Sequence, residues 1–591
     1  VAERLTTREF QVHMCNQFVE SLTEPANTSY FMFLGHPVAW DNDASPPLPI
    51  DNEQTLSFDT WDSMICGKAL QSSDLTLMAN RYDWASNTVY AMYDNTLDQG
   101  NSNFFVIEQE SSVYHVFKCL FNANGAVSTV SPTFASTAAD DTFYATSDGY
   151  QWKYLYSLDN TTYNKFTTAL YIPVMPNANV TGNAINGVID VIVVEDGGIN
   201  FNSYTNGYFQ TVSVSGNPLA HVIDKSSSSN NNFYQSSSIK IIQGRGAGQQ
   251  KVITEYQVSG NTKTVIIDSA WTTVPDVTSQ YEIMPNVVIV GDGTGAQARG
   301  VVNPASNSIS YIEITQRGIN YTWATATIQA NTGVISNTGF NTNNAIIRTI
   351  IGPAGGHGSD LSHELSTVRV GISTVFANTE SNTIPATNKF RTVGILRDPL
   401  FANVSLTLTG VSGSFQVGEK LVTNTLSDST VTIWNTGPST LSLVNLVGKV
   451  NIGDTVIGST SNATGTVSNV FVTGVNKNLN TFDNRNRYNI TLNTSNTFAQ
   501  NEQVTQVTTQ ANGYVHFANT TYLALTDIKG VFANTTTNQL VTSLSGVSAN
   551  ISNASTPDLV KSSGKILYLE NISPILRSGT TQESIRLVVG F

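Results

Sequence analysis

The sequence predicts a mainly β, multi-domain protein of β-sandwich and small-barrel architecture, with a few short helices and one helix at the N-terminal end. Three observations predict it. Charged residues are 12% of the chain, about half the ~25% of an ordinary soluble protein, while 40% are apolar, so the chain is not of the disordered class. Its middle is dominated by Asn, Thr, Ser, Gly and Val, which suit pleated surfaces and the tight turns between them. Short apolar runs bounded by turn residues recur along the whole length, and two sets of them repeat. At 591 residues the chain exceeds a single core, and roughly three to four domains are expected.

The elements come in this order. Residues 3–22 form the best helix, with Phe10, Met14 and Phe18 on one face and Thr6 or Thr7 supplying the cap ahead of Glu9. Pro25 stops it. Tyr30–Gly35 reads as a buried strand, the segment Ser45–Pro49 as a proline-rich loop, and Thr55–Met64 as a second short helix. Tyr90–Tyr93, Asn103–Ile107 and Val113–Leu120 are further strands, Asp148–Tyr156 alternates large aromatics from a turn, and Thr168–Val174 closes the segment.

In residues 185–330 the strand Val188–Val193 leads to Gly197-Gly198-Ile199-Asn200-Phe201. The strand Ile309–Ile314 leads likewise to Arg317-Gly318-Ile319-Asn320-Tyr321. Each unit is a strand, a glycine turn and an aromatic able to fold back on the sheet. A weaker repeat of roughly 40 residues occupies 404–555. Its units open at Phe415-Gln416-Val417-Gly418-Glu419, Val450-Asn451-Ile452-Gly453-Asp454, Phe498-Ala499-Gln500-Asn501-Glu502 and Val531-Phe532-Ala533.

The C-terminal runs Lys565–Asn571 and Ser584–Val589 look like core strands, and a strand at the chain end needs a partner sheet. The aromatic-rich N-terminal part, with Trp40, Trp61, Trp84 and Trp152, is the natural partner. The expected plan is therefore a core domain of residues 1–175, completed by 385–403 and 556–591. Residues 176–384 are an inserted β-rich domain with glycine-turn repeats, and 404–555 an insertion of tandem small β-modules. Residues 176–186 and 556–564 are the expected linkers.

Net charge is −14 and the 29 basic residues form no block, which argues against nucleic acid as partner. No run of ~18 apolar residues can span a membrane, and no apolar signal-peptide core is seen at the N-terminal end. Cys15, Cys66 and Cys119 are odd in number and widely spaced, as expected of buried reduced thiols in a protein made in a cytosol.

No motif carries its full chemical complement. Gly291-x-Gly293-x-x-Ala296 comes after an apolar strand, with Glu313 at the distance of a ribose-binding acid. The glycines lead into Gly300–Pro304, which is poor helix material, and a phosphate site needs a helix N-terminus there. His357 and His363, with Asp360 and Glu364, place metal-ligand types close together. His363-Glu364 nevertheless lacks the second histidine of a zinc-protease helix, and a structural turn is the better reading. Asp41 with Asp43, and Asp140 with Asp141, lack the glycine turn and distal glutamate of a calcium loop. No catalytic, cofactor-binding or metal site is expected.

Several segments in order resemble the dimeric baseplate wedge protein of T-even-like contractile-tailed phages. They are Tyr30–Gly35 followed by Trp40, Trp61 with Met64, Arg81–Trp84, and Asp148–Tyr156 as the most specific. Phe390–Leu400 and Ile566–Asn571 with Pro574-Ile575 complete the set. The resemblance covers roughly 1–175, 385–403 and 560–591; the middle and the 404–555 stretch are far longer than in that family. It implies a structural virion protein of the tail baseplate, assembled in the host cytoplasm. The expected role is wedge assembly through contacts that rearrange on tail contraction. The implied partners are a second copy, other wedge proteins, and tail-fibre or peripheral baseplate proteins at the insertions. No catalysis, cofactor, nucleic acid or membrane is implied. The helix at 3–22 is a candidate partner helix. The alternative reading is a receptor-binding or glycan-cleaving tail spike or fibre, which the Asn/Thr-rich repeats suit.

Overall fold

Alternating apolar residues and frequent turn chemistry produce a chain that is 49% strand and 10% helix, a mainly β, multi-sheet architecture. The computed structural model describes the chain except residues 1–5, 24–27, 51, 135–142, 202–203, 211–215, 330–344, 379–388, 403, 424–425, 438, 449, 473–479, 485–487, 530–531, 533–538, 543–544 and 556. Contacts divide it into two units, Val1–Val12 with Leu77–Val368, and His13–Thr76 with Arg369–Phe591.

This division differs from the expected plan. Residues 77–175 belong with the 176–368 region, and only the first part of the N-terminal segment joins the C-terminal strands. The reason is strand pairing across long sequence separations. In the second unit a five-stranded sheet runs in the order Thr481–Asp483, Met64–Ala69, Tyr30–Gly35, Lys389–Arg397, Lys565–Leu576. Tyr30–Gly35 is buried at every position because it lies inside this sheet.

Lys565–Leu576 is not a core strand. It is the edge, and is exposed or half-buried along its length. Its register jumps from Phe390–Ile575 to Thr392–Asn571. The bulge takes up Pro574, which has no N–H to give to a ladder. Glu583–Gly590 pairs residue for residue with Arg369–Phe376.

The 404–555 insertion is two different things. Residues 404–472 form a six-stranded sheet whose Val404, Leu406, Leu441 and Val456 share one core with Phe31, Phe33, Trp61 and Phe482. That module is continuous with the five-stranded sheet, and Thr481–Asp483 extends the sheet itself through Met64–Ala69. Tyr488–Leu492 through Ser548–Ser555 close into a six-stranded barrel with its own core, including Ile490, Val504, Val515, Leu540 and Ile551. A fragment of residues 485–556 is expected to fold alone with dispersed amide resonances. A fragment of 404–472 is expected to be molten, because Phe31, Phe33, Trp61, Phe482 and the rest of the shared core outside 404–472 stay behind. Equal dispersion in both fragments would contradict this assignment.

The sequence repeat is preserved as one turn in three places. Phe415, Val450 and Phe498 are buried. Gly418, Gly453 and Asn501 take φ of 92°, 97° and 67°, the left-handed region open to Gly and Asn. In each copy this residue donates its N–H to a valine carbonyl, and that valine donates back to the carbonyl of the next residue, an acid. The pairs are Gly418/Glu419 with Val431, Gly453/Asp454 with Val467, and Asn501/Glu502 with Val515, all at 2.7–3.0 Å. Of the fourth unit, Val531 and Ala533 lie outside the described residues.

The first unit contains a four-stranded sheet, Phe105–Glu110, Val113–Asn122, Tyr150–Asp159 and Tyr144–Ala145. Both of its faces are buried: Phe105, Ile107 and Val116 point into one cluster, Val106, Phe117 and Trp152 into another. Tyr90–Tyr93 is not a strand. Its backbone is satisfied in part by side chains, Ala91 N–H by Asn103 at 3.1 Å and Tyr90 N–H by the Tyr150 hydroxyl at 3.3 Å. The same unit holds a nine-stranded sheet, in which the long strand Gln280–Gly291 serves two cores. Tyr281 and Ile283 face one, with Ile239, Tyr256 and Trp271; Val287 faces the other, with Ile192, Ala298 and Tyr321.

The two glycine-turn units have the same conformation. Gly198 and Asn200 have φ of 60° and 65°, Gly318 and Asn320 of 66° and 61°, and Phe201 and Tyr321 are both buried. The units grip each other reciprocally. Phe201 N–H bonds Asn307 O at 2.8 Å, and Tyr321 N–H bonds Gly187 O at 3.1 Å.

The N-terminal helix is Arg8–Thr23. Its buried stripe is Val12 and Cys15, not the predicted Phe10–Met14–Phe18 face; Phe10 and Met14 are 54% and 39% exposed. Phe18 packs on Tyr30 and Phe591 with ring centroids 5.4 and 5.6 Å away. Cys15, Cys66 and Cys119 are buried thiols outside any disulfide.

Candidate functional site: a buried charge chain and its cleft

Five charged or titratable side chains of the first unit line up in series. Lys118 lies on the strand Val113–Asn122, and Glu364 ends the short helix Leu361–Glu364. His357 sits in the glycine-rich turn before that helix. Asp190 is on the strand Ile189–Asp196, and Arg317 is near the end of Ser308–Ile319. Lys118 pairs with Glu364, and His357 Nδ1 lies 3.3 Å from Glu364. His357 Nε2 lies 3.1 Å from Asp190, which also pairs with Arg317. One imidazole nitrogen thus faces each carboxylate. Side-chain exposure is 0% for Lys118, 1% for Glu364 and His357 and 4% for Asp190, rising to 25% at Arg317.

Burial on this scale is tolerated because each charge has an opposite neighbour. Burial by itself raises the Glu364 carboxyl, but Lys118 and His357 outweigh it and hold it down at about 2. The Gly358 N–H adds a 2.6 Å hydrogen bond to the same carboxylate. His357 and Arg317 likewise hold Asp190 below the usual carboxylate range against its burial. The Tyr93 ring lies over the Lys118 ammonium at 3.8 Å and edge-on to His357 at 5.3 Å.

At its Asp190–Arg317 end the chain meets a cleft of about 440 Å³ between the strands Ile189–Asp196 and Ser308–Ile319. Phe121, Asn124, Phe143 and Gln151 form its other wall.

The sequence-predicted candidates fall elsewhere or separate. His363 does not join His357; it is half exposed and bonds Asp360 at 2.7 Å. Among the described residues no group of three or more His, Cys, Asp or Glu side chains is arranged to hold a metal ion. Gly291 ends one strand and Thr294 opens the next, so the glycine run is a hairpin turn and leads into a strand, not a helix. A Cβ on Gly293 would lie 2.4 Å from the Tyr321 ring. Asp292 accepts from the N–H groups of Thr322 at 2.9 Å and Trp323 at 3.2 Å. Glu313 pairs with Lys240 and with Arg299 at 2.7 Å.

Asp41 is exposed. Asp43 takes a bidentate ion pair from Arg391 at 2.7 and 2.8 Å, and this hydrogen bonding holds its carboxyl at about 2. Asp140 and Asp141 lie outside the described residues.

The motif Asp148–Tyr156 is a clamp. Burial works to raise the Asp148 carboxyl. The Thr146 hydroxyl and the N–H groups of Thr129, Val130 and Tyr150 hold it at about 2. The rings of Tyr150 and Trp152 in the same strand stack on each other with centroids 5.4 Å apart.

Sequence reading missed Lys118, Asp190 and Arg317. The only local sign of Lys118 and Asp190 is a single charge inside an apolar run, Val116-Phe117-Lys118-Cys119-Leu120 and Val188-Ile189-Asp190-Val191-Ile192, and Arg317 stands in the polar stretch Thr315-Gln316-Arg317-Gly318. The chain matches no protein-family model and no curated protein sequence.

Proposed function

We propose that this protein is a structural component of a contractile-tail baseplate wedge, working as a homodimer that holds neighbouring wedge proteins. Its work on this reading is mechanical and involves no reaction. The observation that carries the proposal is the meeting of three segments that resemble the wedge family. Tyr30–Gly35, Lys389–Arg397 and Lys565–Leu576 are far apart in sequence and lie side by side in one antiparallel sheet. An accidental likeness of short motifs has no reason to converge on adjacent strands. Long insertions between such strands are tolerated when their ends lie close together. The N-terminal helix supplies a contact surface in its exposed Phe10 and Met14.

Reconstruction of an intact tail carrying this chain tests the proposal. The expected result is density for the chain in the baseplate wedge, two copies per wedge related by a twofold axis. One copy per wedge, or a trimer at a fibre tip, would overturn it; the trimer would favour a receptor-binding spike.

A further inference from the structure

We propose that the cleft between Ile189–Asp196 and Ser308–Ile319 is a binding site for a neutral saccharide. This stands independently of the wedge reading. The cleft arises from how the two repeat units meet. Their strands are tied at one end by Ile309 N–H to Gly197 O and at the other by Asn320 N–H to Asn186 O, both 2.8 Å. Between these ties no β-ladder joins them among the described residues; each pairs with a different neighbour. The reciprocal turns hold the two strands as a frame, and the cleft opens along its middle. At about 440 Å³ it is within the ~300–1,000 Å³ range of small-molecule sites and far larger than a packing defect.

The lining selects the ligand. Tyr311 and Phe143 are 49% and 37% exposed, rings able to cover the C–H face of a sugar. Asn124, Gln151 and Gln316 each offer a donor and an acceptor side by side, the pattern that a pair of vicinal hydroxyls needs. The charges point away from an ionic ligand. Arg317 is paired with Asp190, and Glu313 is held by Lys240 and Arg299. Asp190, Glu313 and Arg317 therefore give the lining no excess of positive charge, and the whole chain carries −14. Phosphorylated, sulfated or uronic ligands would meet repulsion there. A purely apolar ligand would leave the side-chain amides of Asn124, Gln151 and Gln316 facing it without partners.

Saturation-transfer NMR on the full chain is the test, with glucose, galactose, mannose, N-acetylglucosamine, lactose and cellobiose as probes and glucuronate as the charged control. The expected result is transfer to at least one neutral sugar. That signal should fall with roughly tenfold weaker binding in both Tyr311→Ala and Gln151→Ala, as for loss of a contact residue. Tyr311 is half exposed, so its truncation leaves the fold intact, and unchanged thermal unfolding of each variant checks this. If a variant unfolds early, Gln316→Ala, which removes another amide of the same lining, takes its place and is expected to weaken the signal likewise. No transfer from any neutral sugar, transfer unaffected by both substitutions, or tighter binding of glucuronate would each overturn the proposal.

Discussion

Replacing Glu364 with alanine is expected to destabilise the Leu77–Val368 unit by about 3–5 kcal/mol, the cost of stranding a buried charge. Lys118 has no exposed surface and Glu364 is its ion-pair partner. The substitution also takes one of two carboxylates from His357 and removes the acceptor of the Gly358 N–H. Denaturant unfolding monitored by hydrogen exchange would read the loss in the strands Val113–Asn122 and Ile189–Asp196. The double variant Lys118→Met with Glu364→Leu is expected to recover most of it, because no unpaired charge then remains.

Acid provides a second reading of the same pair. The Glu364 carboxyl is held at about 2 in the folded chain, below the ~4.3 of an unfolded glutamate. Its contribution is therefore fully present above pH ~4.5 and is lost as pH falls from there toward 2. The double variant should lose that part of the acid dependence. Equal stability of Glu364→Ala and wild type would show that the chain of charges does not hold this unit together.

Removing Lys565–Phe591 is expected to unfold the sheet of Tyr30–Gly35 and Lys389–Arg397 while leaving the 488–555 barrel folded. The deletion takes away the outer of the two sheet neighbours of Lys389–Arg397, and with Glu583–Gly590 the strand that pairs along the full length of Arg369–Phe376. It also removes Arg577, which is buried, pairs with Glu583, and donates to the carbonyls of Phe376 at 2.9 Å and Ala377 at 2.8 Å. Roughly ten lost backbone hydrogen bonds at about 1 kcal/mol each amount to on the order of 10 kcal/mol, as large as the stability of a typical domain. Hydrogen exchange on the truncated chain should show loss of protection in both strands and retained protection at Val504 and Val515. Unchanged protection of Tyr30–Gly35 would refute the claim.

The sequence alone determined what is local. Runs of apolar and aromatic residues bounded by turn residues located Tyr30–Gly35, Val113–Asn122 and Tyr150–Asp159 to within a few residues. The Gly198/Asn200 and Gly318/Asn320 turns were legible because a left-handed backbone favours Gly and Asn. The Phe415, Val450 and Phe498 openings were legible for the same reason, their turns carrying Gly418, Gly453 and Asn501 at left-handed positions.

Tertiary structure decided whatever depends on who sits opposite. Nothing near Thr481–Asp483 announces that it extends a sheet begun at Met64–Ala69. Nothing near Lys565–Leu576 says that it is an edge. Helical spacing put Phe10, Met14 and Phe18 on one face, but the neighbours available to cover the helix selected Val12 and Cys15. The boundary at Thr76 and Leu77 lies inside one apolar stretch, where no linker composition marks it. Lys118, Glu364, His357, Asp190 and Arg317 come from four separate segments. Lys118, Asp190 and Arg317 read locally as isolated charges and His357 and Glu364 as parts of one polar turn, and only packing makes them a chain, because opposite charges must meet when all are withdrawn from water.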